Sequence, residues 1–276
     1  MKTNTIENRA VQIRLIEDPA ELAQVKELER TVWAGEEPVP VELMIATIKN
    51  GGLVLGAFVE DKLVGFQYSF PGFDGQQVYL CSHSLGILEG YRSYGIGEKL
   101  KWAQREEAKK KGYDLIAWTY NPLETANANL NIRKLGGVCA QYKANYYGEM
   151  NDILNAGIPS DRFVVHWWVN SERVAAKANK QLHERTVKED ALLLNIDLNE
   201  QDLPVPKAVK AEAGKEELFV PVPAYYQKLK AENPELALEW RLKTREAFER
   251  TVNDGYEVTD FVKTAGDIHY YVVTKK

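Results

Sequence analysis

The sequence predicts an α+β protein with a mixed sheet, and three observations carry that prediction. Two apolar runs, Leu53 to Val59 and Leu63 to Phe70, flank the short turn Glu60-Asp61-Lys62, which is the pattern of a β-hairpin. Segments with apolar residues three and four apart lie between such runs, the pattern of amphipathic helices. The loop Arg92-Ser93-Tyr94-Gly95-Ile96-Gly97 joins a strand-like run to a helix-like one. Several strands stand in hairpin relation, which fits the α+β class rather than a doubly wound sheet.

In chain order, Val11 to Ile16 reads as a strand. Asp18 follows as an N-cap, Pro19 as a first helical residue, and Leu22, Val25, Leu28, Val32 and Trp33 as an apolar helix face. Gly35 to Pro40 reads as a loop and Val41 to Lys49 as a second helix. After the hairpin, Pro71 to Gly75 is expected as a loop, and Gln77 to Leu88 as a long strand containing His83. Past the glycine loop a helix is expected to about Lys111, with Ile96, Leu100 and Ala103 on one face. Glu98 near its start, lysines at its end and Gly112 beyond suit the helix dipole and a helix stop. Leu115 to Tyr120 reads as a strand, Thr125 to Leu135 as a helix ending at Gly136-Gly137, Val138 to Tyr147 as extended, and Phe163 to Val169 as a strand.

After about Ser171 the composition changes. Glu172 to Glu189 is highly charged, and Pro204 to Glu217 carries the prolines, alanines and lysines of an exposed connection. Leu218-Phe219-Val220, Tyr256 to Lys263 and Ile268 to Thr274 read as strands around a helix from Pro234 to Val252. The expected division is therefore 1–170 and a C-terminal α/β extension, 171–276.

The 276 residues can bury a sizeable core, and 45% apolar and 27% charged residues are ordinary for a globular protein. A net charge of -5 argues against a nucleic-acid partner. Cys81 and Cys139 lie in apolar surroundings and read as buried thiols of a reducing compartment. The N-terminal stretch lacks the apolar core of a signal peptide, and no apolar run approaches the roughly 20 residues that span a bilayer. A cytoplasmic protein with no membrane partner is expected.

The glycine loop carries the chemistry. A chain turning there from strand to helix aims several backbone N–H groups and the positive end of a helix dipole at one spot, which suits a phosphate or pyrophosphate. Glycines let backbone approach a ligand closely. No lysine ends the loop in the G-K-S/T manner, which argues against a P-loop nucleotide enzyme.

The order helix, hairpin, long strand, R-x-x-G-I-G at Arg92 to Gly97, helix, strand, Asn-rich segment and Lys134-Leu135-Gly136 resembles the GNAT superfamily of acyl-CoA N-acyltransferases over roughly residues 11 to 170. Ser82-His83-Ser84-Leu85-Gly86, Asn121-Pro122-Leu123-Glu124, Tyr147-Gly148-Glu149-Met150, Ser160-Asp161-Arg162-Phe163 and Trp240-Arg241 resemble its poorly characterised "predicted acetyltransferase" group. The resemblance implies the GNAT fold, with the C-terminal portion on or near the acceptor side. It also implies an acetyl-CoA or other acyl-CoA co-substrate, no metal, a small-molecule primary amine as acceptor, and room for a homodimer. Arg92, Ser93, Tyr94, Gly95, Ile96 and Gly97 would grip the pyrophosphate, and Leu85, Gly86 and Ile87 would supply backbone groups near the thioester. Asn127 and Asn131 would touch the cofactor, or else cap the helix together with Asn121 and Asn129.

Many members of the family carry a tyrosine four residues before the glycine of the K-L-G segment, where it protonates the leaving thiolate. Ile132 stands there in this chain, so the acid must come from elsewhere, with Tyr142, Tyr146 and Tyr147 as candidates. His83 is the expected general base, since a neutral imidazole can accept the amine's proton; the alternative is a histidine bonded across the sheet. Glu124 is the rival base, or a helix N-terminal charge. Arg162 and Tyr146 would line the acceptor pocket, Arg162 gripping a carboxylate or pairing instead with Asp161 or Asp152. Arg241, Arg245 and Glu249 share a helix face that reads as solvated. At least two of Trp118, Trp167 and Trp168 are expected in the core. The reaction expected is transfer of an acetyl or succinyl-like group to a small-molecule amine, possible acceptors including amino acids. The alternative, favoured by Ile132, is a catalytically silent CoA-binding sensor or interaction module.

Overall fold

Asp18 and Pro19 open the first helix as their types predict. The Asp18 carboxylate accepts from the N–H groups of Ala20 and Glu21 at 2.9 and 3.1 Å, and α1 runs Pro19–Val32. The computed structural model describes residues 10–34, 37–148, 157–181, 184–210 and 214–276. Glu149, Met150 and Asp152, named above, lie outside these residues, as does part of the Gly35 to Pro40 loop.

The chain divides into two compact units. The first comprises Met1–Trp118 with Trp168–Ser171, the second Thr119–Trp167 with Glu172–Lys276. The composition change near Ser171 coincides with one boundary between the units, at Ser171/Glu172, but Thr119–Trp167 also falls in the second unit. Cys139 pairs with Val258, and this strand contact joins residues near 140 to the C-terminal strands.

In the first unit, β1 (Gln12–Leu15), β2 (Leu53–Val59), β3 (Lys62–Phe73) and β4 (Val78–Ile87) are antiparallel neighbours in that order. β5 (Leu115–Tyr120) joins β4 in parallel through Leu80↔Ile116 and Cys81↔Ala117. α1 and α2 (Val41–Lys49) cover one face, where Ile16, Leu22, Val25, Met44, Val54 and Phe66 are buried together. Each such side chain contributes about 1.5–3 kcal/mol by leaving water. α3 (Ile96–Lys110) covers the opposite face: Gln67 and Ser69 alternate with Tyr68, and the Gln104 side chain of α3 donates to Ser69 Oγ at 2.7 Å.

The hairpin is longer than expected, because Pro71 to Phe73 continue β3 opposite Leu80 to Val78. β2 starts at Leu53 opposite Ser69, so Pro71 lies beyond it where β3 is flanked by β4 alone and its missing N–H is tolerated. The turn follows at Asp74, whose carboxylate accepts from the N–H groups of Gln76 and Gln77 at 2.9 and 2.8 Å.

In the second unit α4 (Thr125–Ala128) passes directly into a π-helical segment, Asn129–Lys134, where an unbroken α-helix was expected. The Leu135 N–H reaches back five residues to the Leu130 carbonyl at 2.9 Å, so the turn holds an extra residue. β6 (Val138–Lys143) is antiparallel to β7 (Arg162–Trp168), whose last residue belongs to the first unit. α5 (Glu172–Ala178) follows. The first part of the stretch read as an exposed connection is a strand: Pro204–Val209 forms β9 against β8 (Leu194–Leu198). A two-stranded ribbon leaves one edge of each strand open, which accommodates Pro204 and Pro206. β10 (Glu217–Pro223), α6 (Tyr226–Glu232), α7 (Pro234–Asn253), β11 (Tyr256–Val262) and β12 (Ile268–Lys275) complete the chain, with β12 between β10 and β11. Among the described residues no helix is long and apolar enough to cross a membrane.

Candidate functional site

β4 ends at Ile87, a 3-10 turn spans Glu89–Tyr91, and the chain enters α3 through two left-handed residues, Ser93 (φ 68°) and Gly95 (φ 72°). A left-handed φ suits glycine at 95 and strains any side chain there. Among the described backbone bonds, none is donated by the N–H groups of Tyr94, Gly95, Ile96 or Gly97. The helix head therefore offers orphan donors together with its dipole. Ile96 is buried and anchors the turn, while Arg92, Ser93 and Tyr94 are exposed. The Arg92 Nε donates to the Ile87 carbonyl at 3.2 Å, which ties the loop back to the end of β4.

Gly97 is the informative glycine. Its backbone is helical, and a Cβ built there would lie 3.6 Å from Leu85 Cδ2, an ordinary contact. Neither strain nor crowding within the fold requires glycine at 97, which leaves room kept open beside the helix head. Gly86 is different: a Cβ there would meet Phe66 at 2.6 Å, so packing alone explains that glycine.

β4 carries a bulge at His83. Ser84 pairs with Tyr68 and Ser82 with Ser69, so His83 has no opposite number on β3. Its exposed ring stands 5.9 Å from Tyr68 and 5.5 Å from Phe70, on the face away from α3. Leu85 returns to the α3 face beside Gly97. Because the β4–β5 ladder stops at Cys81↔Ala117, the edge of β4 from Ser82 to Ile87 has no ladder partner on that side among the described residues. An open edge carries unused backbone donors and acceptors, as an oxyanion site requires.

Beneath the end of that ladder lies a polar cluster that the periodicity did not single out. Lys101, Gln104 and Arg105 occupy the buried face of α3. Lys101 Nζ donates to Ser82 Oγ at 3.0 Å and stands 3.3 Å from the centroid of the Trp118 ring. Gln67 Nε2 donates to Ser69 Oγ at 2.6 Å, while the buried Gln67 Oε1 and Ser84 Oγ have no hydrogen-bond partner among the described residues. Burial holds the Lys101 ammonium well below the usual lysine range, and it pushes the Cys81 thiol up to about 11. The signal in the sequence was a lysine, a glutamine and an arginine falling on an otherwise apolar helix stripe.

The remaining candidates belong to the second unit. Glu124 is the N-cap residue before α4 and accepts a hydrogen bond from the Gln227 side chain. Asn127 is exposed, and Asn131 is buried with its carbonyl accepting from the Gly137 N–H at 2.9 Å. Asn121 Oδ1 accepts from the Leu123 N–H at 3.0 Å, the backbone role its type suggests, and also from Arg241 Nη2 at 2.5 Å. Tyr146 and Tyr147 are exposed and edge-on to each other at 4.7 Å. The Tyr147 hydroxyl is 3.1 Å from Thr119 Oγ1, and the Arg162 guanidinium stacks over the Tyr147 ring at 5.1 Å. Arg162 Nη1 donates to the Asp161 main-chain carbonyl at 2.9 Å, whereas the Asp161 carboxylate pairs with Arg245 at 2.7 Å.

Several sequence expectations need correction here. Arg241 is not solvated: it is 1% exposed, with Nε and Nη1 lacking a hydrogen-bond partner among the described residues. Arg245 is likewise drawn inward by the buried Asp161. Tyr142 donates to Asp161 Oδ2 at 2.5 Å, and burial pushes its phenol far above the tyrosine range, so it is a poor proton donor. Trp167 is fully buried and Trp118 half-buried, but Trp168 is exposed. Cys139 is buried and Cys81 only partly so.

No family model and no curated protein matches the chain. Solved structures do. The ribosomal-protein-S18-alanine N-acetyltransferase of Escherichia coli is similar at 15% identity and TM-score 0.47, covering 59% of this chain and 96% of its own. A GNAT family acetyltransferase of Streptococcus pneumoniae is similar at 17% identity and TM-score 0.46, covering 57% and 98%. A GNAT family acetyltransferase of Elizabethkingia anophelis, solved with acetyl-CoA bound, is similar at 16% identity and TM-score 0.44, covering 57% and 97%.

Proposed function

We propose that the chain is an acyl-CoA-dependent N-acyltransferase of the GNAT type, acting on a primary amine of a small molecule. The observation that carries this reading is Gly97, a helical glycine that the fold does not require, set beside orphan N–H groups at the head of α3 and next to the open edge of β4. The residues fit a CoA thioester. Ser93 to Gly97 would hold the pyrophosphate through backbone N–H groups, with Arg92 adding charge, and the β4 edge at Leu85 to Ile87 would hold the arm. When bound, the thioester supplies an acyl carbon that an amine can attack.

The chain's own residues then have three tasks. The β4 edge offers backbone donors to the oxygen on which negative charge develops. His83, exposed on its bulge, accepts the proton that the attacking amine must lose, directly or through water. Glu124 is engaged by Gln227, which favours His83 over it as base. Tyr147 has an exposed phenol and is a better proton source for the leaving thiolate than Tyr142. Arg162 and Tyr146 are the proposed acceptor contacts, and Asn127 and Asn131 further cofactor contacts. Proximity of two bound substrates supplies much of the acceleration.

Release of free thiol on mixing the protein with acetyl-CoA, succinyl-CoA and a panel of primary amines, amino acids and peptides included, tests the reading and identifies donor and acceptor. Ile132, wholly buried in the π-helical segment, favours a second reading as a CoA sensor. Tight CoA binding without thiol release across that panel would decide for the sensor.

A further inference from the structure

Neither the glycine loop nor His83 accounts for the lysine buried where the β4–β5 ladder ends. Lys101 reaches from α3 to both strands, to Ser82 on β4 and to the Trp118 ring on β5. These are the first residues past the last ladder pair, Cys81↔Ala117, so the amine closes the fork between the strands. Lys101 also follows Gly97 by four residues, which puts the two on one face of α3 about 6 Å apart along the axis. From Ile87 back to Ser82 the open edge of β4 spans about 16 Å at roughly 3.3 Å per residue. A ligand anchored at the loop and laid along that edge therefore brings its far end to the Lys101 amine.

We propose that Lys101 is a self-acylation site, modified by the thioester that the protein itself holds. The inference rests on the acyl-CoA reading above. The Nζ lone pair attacks the thioester carbonyl carbon, a C–N bond forms and the C–S bond breaks. The departing thiolate takes the proton that the nitrogen sheds, leaving an N6-acyl-lysine and free CoA thiol. Burial favours the neutral, nucleophilic form of this amine. The product amide is larger and uncharged, so it fills the fork and makes the modification self-limiting.

Lys101 is 3% exposed, which separates this route from adventitious chemistry, because a reagent free in solution does not reach the amine. The test uses the full chain with no acceptor amine present. It is incubated with acetyl-CoA, with acetyl-CoA plus excess unacylated CoA, or with a water-soluble acetyl ester, and mapped by peptide mass spectrometry. CoA binding is followed in parallel by calorimetry. Acetyl-CoA is expected to label Lys101 about tenfold faster or more than the exposed Lys99 and Lys109, the kind of margin proximity provides. Excess CoA is expected to suppress that labelling, and the free ester to reverse the order. CoA binding with Lys101 unlabelled, or labelled no faster than Lys99 and Lys109, overturns the self-acylation proposal while leaving the acyltransferase reading intact. Absence of CoA binding overturns both.

Discussion

Arg245 grips the Asp161 carboxylate with two nitrogens, Nε on Oδ2 at 2.9 Å and Nη2 on Oδ1 at 2.7 Å. The Tyr142 hydroxyl and the Asn145 N–H complete its coordination at 2.5 and 2.9 Å. Burial pushes the Asp161 carboxyl up, but the bonds from Arg245, Tyr142 and Asn145 outweigh it and hold the group below its ordinary value. A carboxyl depressed in the folded state contributes stability that is present above its unfolded pKa, about 3.9, and lost as pH falls through the folded value. Asp161→Asn is expected to cost about 3 kcal/mol at neutral pH, since it leaves the Arg245 charge without its partner. The variant should also lose part of the stability decline expected of the parent below about pH 4. Urea unfolding of both proteins across that range checks it, and an unchanged pH slope would assign the acid sensitivity to another group.

Gly95 and Gly97 should respond oppositely to alanine. At 95 the left-handed backbone strains a side chain by about 1–2 kcal/mol, although nothing crowds the added Cβ. At 97 the site is helical and roomy, so Gly97→Ala is expected to raise stability by about 0.5–1 kcal/mol. The same methyl stands beside the proposed pyrophosphate cradle, so CoA affinity should fall even as the melting temperature rises. Thermal unfolding and calorimetry on one preparation read both quantities. Normal CoA affinity in Gly97→Ala would remove the cradle from the mechanism.

His83 projects from a bulge into solvent, its ring set against Tyr68 and Phe70. Replacing it should therefore disturb folding little, while removing the proposed proton acceptor lowers kcat/KM by about a hundredfold or more. His83→Gln keeps a polar side chain but cannot take up the proton. Its pH–rate profile should differ in shape from that of the parent, whereas Glu124→Gln should leave the shape unaltered. An identical profile in His83→Gln would sink the assignment.

The parts of the fold set by local chemistry were legible in the sequence. Asp18-Pro19 marked a helix start, Gly112 follows α3 with a left-handed φ of 83°, and short apolar runs bounded by turn residues marked β2 to β5. The glycine loop was legible for the same reason, since a strand, two left-handed residues and a helix head are adjacent in sequence. What stayed hidden depends on residues far apart. Pro204 to Val209 reads as a linker until β8 is known to lie beside it. The bulge at His83 is a register property of β3 against β4 and leaves no mark in the alternation of β4 alone. Arg241 and Arg245 sit on a charged helix stretch that looks solvated, and only the arrival of Asn121 and Asp161 from more than 80 residues away turns that face inward.

Arg241 provides the last prediction. Its guanidinium is 1% exposed, Nη2 donates to Asn121 Oδ1 at 2.5 Å, the group stacks over Tyr226 at 5.6 Å, and Nε and Nη1 have no well-formed hydrogen bond among the described residues. A buried charge that recovers only part of its lost hydration adds little net stability, and well-packed apolar replacements of such groups are often neutral or better. Removing its volume is another matter, because a cavity in a packed interior costs about 3–5 kcal/mol for a side chain of this size. Arg241→Met should thus unfold within about 1 kcal/mol of the parent, the loss at Asn121 being offset by relief of the two unbonded nitrogens. Arg241→Ala should be several kcal/mol less stable. Denaturant midpoints for the pair separate the two contributions. If the methionine variant is as unstable as the alanine one, the guanidinium charge is itself holding this cluster together.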